Sequence, residues 1–208
     1  MAVTGLLMIL FVVMHLLGNL SIFAGPDGIN AYAEKLHALG PVVWITRVVM
    51  VTAVVLHVIL SIQITAENWA AKPQKYAVSK SLKATFASKN MIWTGVVIGA
   101  FVVYHLLHFT LRVTPGLELG EDTLNRFDVF TMVVSALKSP AMAAIYVVAM
   151  VGLFLHLTHG IQSTFQTLGL SNGKLLPAYG RFGKVLSALF LIGYGAIPVL
   201  IVVGLLAS

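Results

Sequence analysis

Five long apolar runs organise the chain: Met1 to Ala24, Val42 to Ala66, Met91 to Leu111, Ala141 to Phe165 and Val185 to Ala207. A helix needs about 20 apolar residues to cross a bilayer, and each run meets that length. The pattern predicts an all-α integral membrane bundle of five transmembrane helices, with spans at about 1–24, 42–66, 91–111, 141–165 and 185–207. The polar intervals are too short to hold a second domain, so 1–208 reads as one unit. Gly25-Pro26 and Asp27-Gly28 predict a turn within the loop from Gly25 to Gly40, followed by a short interfacial helix from Asn30 to Leu39. Gly116 to Asp128 reads as a second loop on that side with some helical character, and Ser139-Pro140 as a cap with proline at the first helical position. Pro198 with Gly193, Gly195 and Gly204 predicts a bent, closely packed fifth span. No repeat of fixed period is evident.

Composition narrows the function classes. The chain has 208 residues, 59% hydrophobic and 10% charged, with mean hydropathy +0.95. Soluble domains carry about 25% charged residues, so a soluble enzyme is excluded and any soluble substrate pocket belongs on another subunit. Cysteine is absent, which removes disulfides, iron–sulfur clusters and thiolate metal sites held by this chain. The first run has no basic segment before it and no convincing cleavage site at Ser21 to Pro26, so it is expected to be retained.

Charge sets an expected orientation. Lys72, Lys75, Lys80, Lys83, Lys89, Lys174, Arg181 and Lys184 share one face with a single acid, Glu67. The other face carries Lys35, Arg47, Arg112, Arg126 and Lys138 against Asp27, Glu34, Glu118, Glu121, Asp122 and Asp128. The positive-inside rule makes the first face and the N-terminus cytoplasmic. The lysines are spread along loops flanking spans, which favours topology, anionic lipid or an acidic partner subunit over nucleic acid.

Six of the seven histidines lie inside apolar runs: His15 in span one, His57 in span two, His105 and His108 in span three, His156 and His159 in span four. An ionisable side chain in hydrocarbon needs a partner or a function. For a single histidine a bond to a neighbouring helix is the commoner explanation, but four consecutive spans each supply one. His15, His57, His105 and His156 fall just past the midpoints of their runs, about 3–6 Å beyond the bilayer centre at 1.5 Å per residue. Because alternate spans run in opposite directions, His15 and His105 lie toward the outer face, and His57 and His156 toward the cytoplasm. Two pairs at two depths suit two bis-histidine haems, whose filled axial positions favour electron transfer over oxygen chemistry. Gly18, Ser61, Gly152 and Gly160 stand three or four residues from these histidines, on the same helical faces, where a flat macrocycle would need small side chains; Gly95 and Gly99 lie on earlier turns of span three. Spacing does not choose between His105 and His108, or between His156 and His159.

The segments Met1 to Leu20, HVILSIQIT followed by ENWAAKPQKY (His57 to Tyr76), WTG…YHLLHF (Trp93 to Phe109) and SPAM…FLHLTHGIQSTFQTLG (Ser139 to Gly169) resemble the five-helix, di-haem cytochrome b subunit of succinate dehydrogenase and fumarate reductase. The resemblance covers nearly the whole chain. It implies His105, ten residues after Gly95, as the span-three ligand, and His156, between Pro140 and Gly160, as the span-four ligand; His159 stands where relatives can carry asparagine. It also implies His15 with His105 on the haem distant from the soluble subunits and His57 with His156 on the near one. The implied activity is electron transfer through two haem b groups between a membrane quinone, menaquinone or ubiquinone, and an iron–sulfur subunit. A FAD-containing flavoprotein subunit would interconvert succinate and fumarate, with both subunits on the cytoplasmic face of a bacterial cytoplasmic (inner) membrane. Glu34 and His37, one turn apart, are candidate proton-exchanging groups for the quinone. Arg47 and Lys89 are candidate partners of haem propionates.

Two positions depart from the pattern. Relatives carry a polar, often basic segment before the first span, so the resemblance implies an unusual start or a longer protein. Some fumarate reductases have a proton-conducting glutamate two residues before the span-four ligand; here that residue is Phe154. The rival readings are a di-haem cytochrome b subunit of a hydrogenase, formate dehydrogenase or nitrate reductase, and a non-redox membrane transport or assembly protein whose histidines make helix contacts.

Overall fold

The computed structural model describes residues 1–71 and 84–206. Lys72, Lys75, Lys80 and Lys83 of the predicted cationic loop lie outside the described residues, as does Ala207. The protein is all-helical, with no strand among the described residues, and five of its helical segments are long and apolar enough to cross a membrane. It is a multi-pass membrane protein by that measure.

The elements are α1 (Ala2–Asn19), a 3₁₀ turn (Leu20–Ala24), α2 (Gly25–Ala38), α3 (Pro41–Ala70), α4 (Phe86–Lys89), α5 (Met91–His105), a π-helical turn (Leu106–Thr110), α6 (Val129–Leu137), α7 (Pro140–Thr167) and α8 (Leu175–Val202). The five spans are α1, α3, α5 with its π turn, α7 and α8. α7 and α8 form an antiparallel hairpin: Ser187, fully buried, meets Thr158 Oγ1 at 3.0 Å, and Gly183 packs against Ile161. α1 lies along the pair, with Tyr194 donating to the Val12 carbonyl at 2.8 Å and Leu16 filling the space beside Gly193. α3 packs on α1, and α5 on α7. Leu16, Leu157, Ile161 and Phe190 form one core along this seam. A second core, holding Ile22, Ile29, Phe130, Leu137, Tyr146 and Ile201, closes the end of the bundle opposite the N-terminus.

Trp69 and Trp93 stand exposed toward the end that carries the N-terminus, and Trp44 toward the opposite end. These are all the tryptophans of the chain, at positions that suit the two interfacial belts of a bilayer.

Several boundaries differ from the sequence expectation. α2 begins at Gly25, not Asn30: Gly25 takes φ +81, which breaks the path of α1, and Pro26 sits in the first turn with φ already helical. A Cβ on Gly28 would stand 2.6 Å from the Ser21 carbonyl oxygen, so this tight corner requires glycine. α8 starts ten residues before the predicted Val185, because Asn172 Oδ1 accepts from the N–H groups of Lys174 and Leu175 and Tyr179 stacks on Phe165 at 4.2 Å, which orders its polar first turns. The predicted helical character of Gly116 to Asp128 is absent. Asp122 Oδ1 accepts from the Leu124 and Arg126 N–H groups and folds the segment into a turn closed by an isolated bridge between Glu121 and Phe127. The helix starts instead at Val129, capped by Asp128 accepting from the Thr131 N–H at 3.0 Å. Pro140 does open α7, but the Ser139 side chain makes no capping bond.

Candidate functional site

Histidines are arranged in two layers. Nearer the N-terminal end, His57 of α3 faces the Thr4-Gly5 pair in the first turn of α1: Thr4 Oγ1 lies 3.1 Å from His57 Nδ1, and a Cβ on Gly5 would touch His57 Cε1 at 3.6 Å. His156 of α7 faces the Thr94-Gly95 pair of α5 in the same way, with Thr94 Oγ1 3.1 Å from His156 Nδ1 and a Gly95 Cβ 3.6 Å from His156 Cε1. Gly5 also approaches Thr164 of α7, so this layer joins α1, α3, α5 and α7.

His15 and His105 stand ten residues beyond Gly5 and Gly95, which at 1.5 Å rise places them about 15 Å deeper. Their rings meet edge to face, centroids 5.9 Å apart at 82°. Phe11 stacks on His15 at 5.4 Å, and Phe101, Phe109 and Tyr146 surround His105. His105 Nδ1 is buried with no hydrogen-bond partner among the described residues.

Tyr146, which the sequence reading did not single out, explains His108. That ring is buried, lies 2.9 Å from the Tyr146 hydroxyl through Nδ1 and stacks on Phe109 at 4.3 Å. His108 is thus held by a neighbouring helix, while His105 faces His15. His159 is half-buried, one turn beyond His156.

The small residues divide. A Cβ on Gly18 would stand 2.5 Å from the Tyr32 hydroxyl, so Gly18 admits α2 against α1 and does not face a macrocycle; Gly152 likewise seats Val97. Ser61 returns its hydroxyl to the His57 carbonyl at 2.6 Å. Gly99 has no atom within 4 Å of a built Cβ, and Gly160 only the tip of Met91 at 4.0 Å.

Glu34 and His37 are exposed on α2, with His37 Nδ1 2.8 Å from the Ala33 carbonyl oxygen. Arg47 is exposed with its guanidinium 4.8 Å over the Trp44 ring, and Lys89 ends the short α4, also exposed. None of these four stands in either histidine layer.

A polar lock closes the end opposite the N-terminus. Asn30, 1% exposed, donates to Asp122 and Asp128 and accepts from the Phe130 N–H. Arg126 bridges Asp122 at 2.7 Å and Asp27 at 2.8 Å. Its bond to Arg126 holds the Asp122 carboxyl well below the usual range, and the partner pair raises Arg126 in turn. At Asp128 burial pushes upward, but bonds from Thr131 and Asn30 outweigh it and leave the carboxyl lowered.

Chemically, the layers offer two facing imidazole sets in an apolar bundle. Among the described residues no three His, Asp or Glu side chains gather to hold a bare metal ion. A haem asks the protein for only two axial nitrogens, and this donor set fits that demand: half-buried imidazoles with ring positions fixed by neighbours, and open space beside Gly99. Compared with family models, curated proteins and solved structures, the chain matches none.

Proposed function

We propose that the chain is the di-haem cytochrome b membrane subunit of a succinate:quinone oxidoreductase or fumarate reductase, in a bacterial cytoplasmic membrane. The observation that carries the reading is the pair of histidine layers about 15 Å apart along the bundle. His57 and His156 would hold the haem nearer the N-terminal face, and His15 and His105 the other. When bound, the two haems would supply reversible one-electron transfer between an iron–sulfur subunit and a quinone.

The chain's own residues define the rest. Apolar side chains of α1, α3, α5 and α7 flank both layers and would limit the access of water to them. Phe11, Phe101, Phe109 and Tyr146 fix the ring planes of the deeper pair. The lysine-rich face, cytoplasmic in this reading, would receive the iron–sulfur and flavoprotein subunits, and an exposed α2 carrying Glu34 and His37 would exchange protons with quinone at the other face.

A dithionite-reduced minus oxidised spectrum of membranes containing the chain, with identification of the subunits that copurify, tests this. A b-type spectrum with two haems per chain, together with a flavoprotein and an iron–sulfur protein that oxidise succinate or reduce fumarate, is the expected result. Absence of haem would overturn the cytochrome, and copurification with a hydrogenase, formate dehydrogenase or nitrate reductase would overturn the complex.

A further inference from the structure

The Thr-Gly pairs at the starts of α1 and α5 do the same thing in two places. A threonine hydroxyl has one hydrogen. At Thr4 it goes to the Met1 carbonyl at 2.8 Å, and at Thr94 to the carbonyls of Asn90 and Met91 at 3.1 and 3.0 Å. With those hydrogens on carbonyls, both hydroxyl oxygens are left to accept, an arrangement that suits imidazoles donating from Nδ1 of His57 and His156. In that arrangement the proton of each ring is on Nδ1 and the lone pair on Nε2. Gly5 and Gly95 lie beside the ring edges, where a built Cβ would make an ordinary 3.6 Å contact with Cε1 of the histidine it faces.

We infer that Thr4 and Thr94 are positioning residues that fix His57 and His156 in the tautomer with Nε2 free to ligate, so that, among the described residues, this layer is the one with hydroxyl-held imidazoles. The deeper layer is built differently: His15 and His105 are bounded by aromatic rings, and His105 Nδ1 has no partner among the described residues. An Nδ1–H donated to an oxygen makes Nε2 the more basic ligand and favours the oxidised iron. With haem bound, loss of that bond would raise the potential of the haem this layer holds. The inference rests on the cytochrome reading above.

Thr4→Val and Thr94→Val remove the acceptor at nearly constant shape, and Thr4→Ser and Thr94→Ser restore it. Each variant is expressed as the full chain with its accompanying subunits, and membranes are titrated potentiometrically while haem content is measured independently by pyridine haemochromogen. In each valine variant, one of the two haem transitions is expected to move to higher potential or to be lost while the other stays in place. Each serine variant is expected to return the affected haem to its wild-type position. Unchanged potentials and haem content in both valine variants would overturn the role of the threonines and leave the cytochrome reading intact, as would serine variants that behave like valine. Wild-type membranes without b-type haem would overturn both.

Discussion

His15 and His105, ninety residues apart in sequence, meet edge to face with ring centroids 5.9 Å apart. A single layer held from two spans makes the two residues equivalent in a loss experiment. His15→Ala and His105→Ala are each expected to remove the same one of two b-type signals in a redox-resolved difference spectrum, with no further loss in the double variant. His57→Ala and His156→Ala should remove the other signal. If His15→Ala and His57→Ala depleted the same haem, the pairing by layer would be wrong.

The Tyr146 hydroxyl bonds His108, while only its ring packs against His105 of the deeper pair. Tyr146→Phe leaves a buried ring nitrogen without its 2.9 Å partner, at a cost of about 1–3 kcal/mol. The expected outcome is a lower melting temperature in detergent with haem content unchanged. Loss of one haem in this variant would show that His108, not His105, is a ligand.

The five spans and the six intramembrane histidines were legible because both depend on local properties: unbroken apolar length, and a costly polar group inside it. The elements that depend on tertiary partners were not. α6 is nine residues long, too short to register as a span, and it exists because Asp128 caps it and the core of Ile22, Ile29 and Tyr146 receives it. The glycines near the histidines read alike in sequence, yet Gly18 meets Tyr32 of another helix while Gly99 meets nothing within 4 Å. The repeated Thr-Gly, ten residues before His15 and again before His105, was present in the sequence. What gives it meaning is the histidine that α3 and α7 return to each pair, a contact no spacing within one span can show.

Acid should open the polar lock first. Asp122 is held below its ordinary value of 3.8 by Arg126, and Asp128 is lowered as well. A carboxyl lowered by folding contributes stability that is fully present above its unfolded value and is lost as pH falls through the folded value. Melting temperature in detergent is therefore expected to be flat near neutrality and to fall in the acid range below about pH 4, where unfolded carboxyls take up protons. Asp122→Asn should melt lower at neutral pH and show a shallower acid decline, because the group that titrates is gone. An acid limb as steep as in wild type would place the sensitive carboxyl elsewhere.

Glu34→Gln is expected to separate quinone chemistry from electron carriage. It is exposed on α2 with His37 one turn away, and neither side chain reaches a histidine layer. Positioned acid–base groups contribute about 10²–10⁴-fold to proton transfer, so Glu34→Gln, which keeps shape and removes the titrating group, is expected to lower quinone turnover by at least about a hundredfold. Both haem signals and their reducibility from the soluble side should persist, since the change lies outside both layers. Retained turnover in Glu34→Gln would remove α2 from the proton path, and loss of turnover together with a haem would show that the substitution acts through the packing of α2 on α1 at Gly18 and Tyr32.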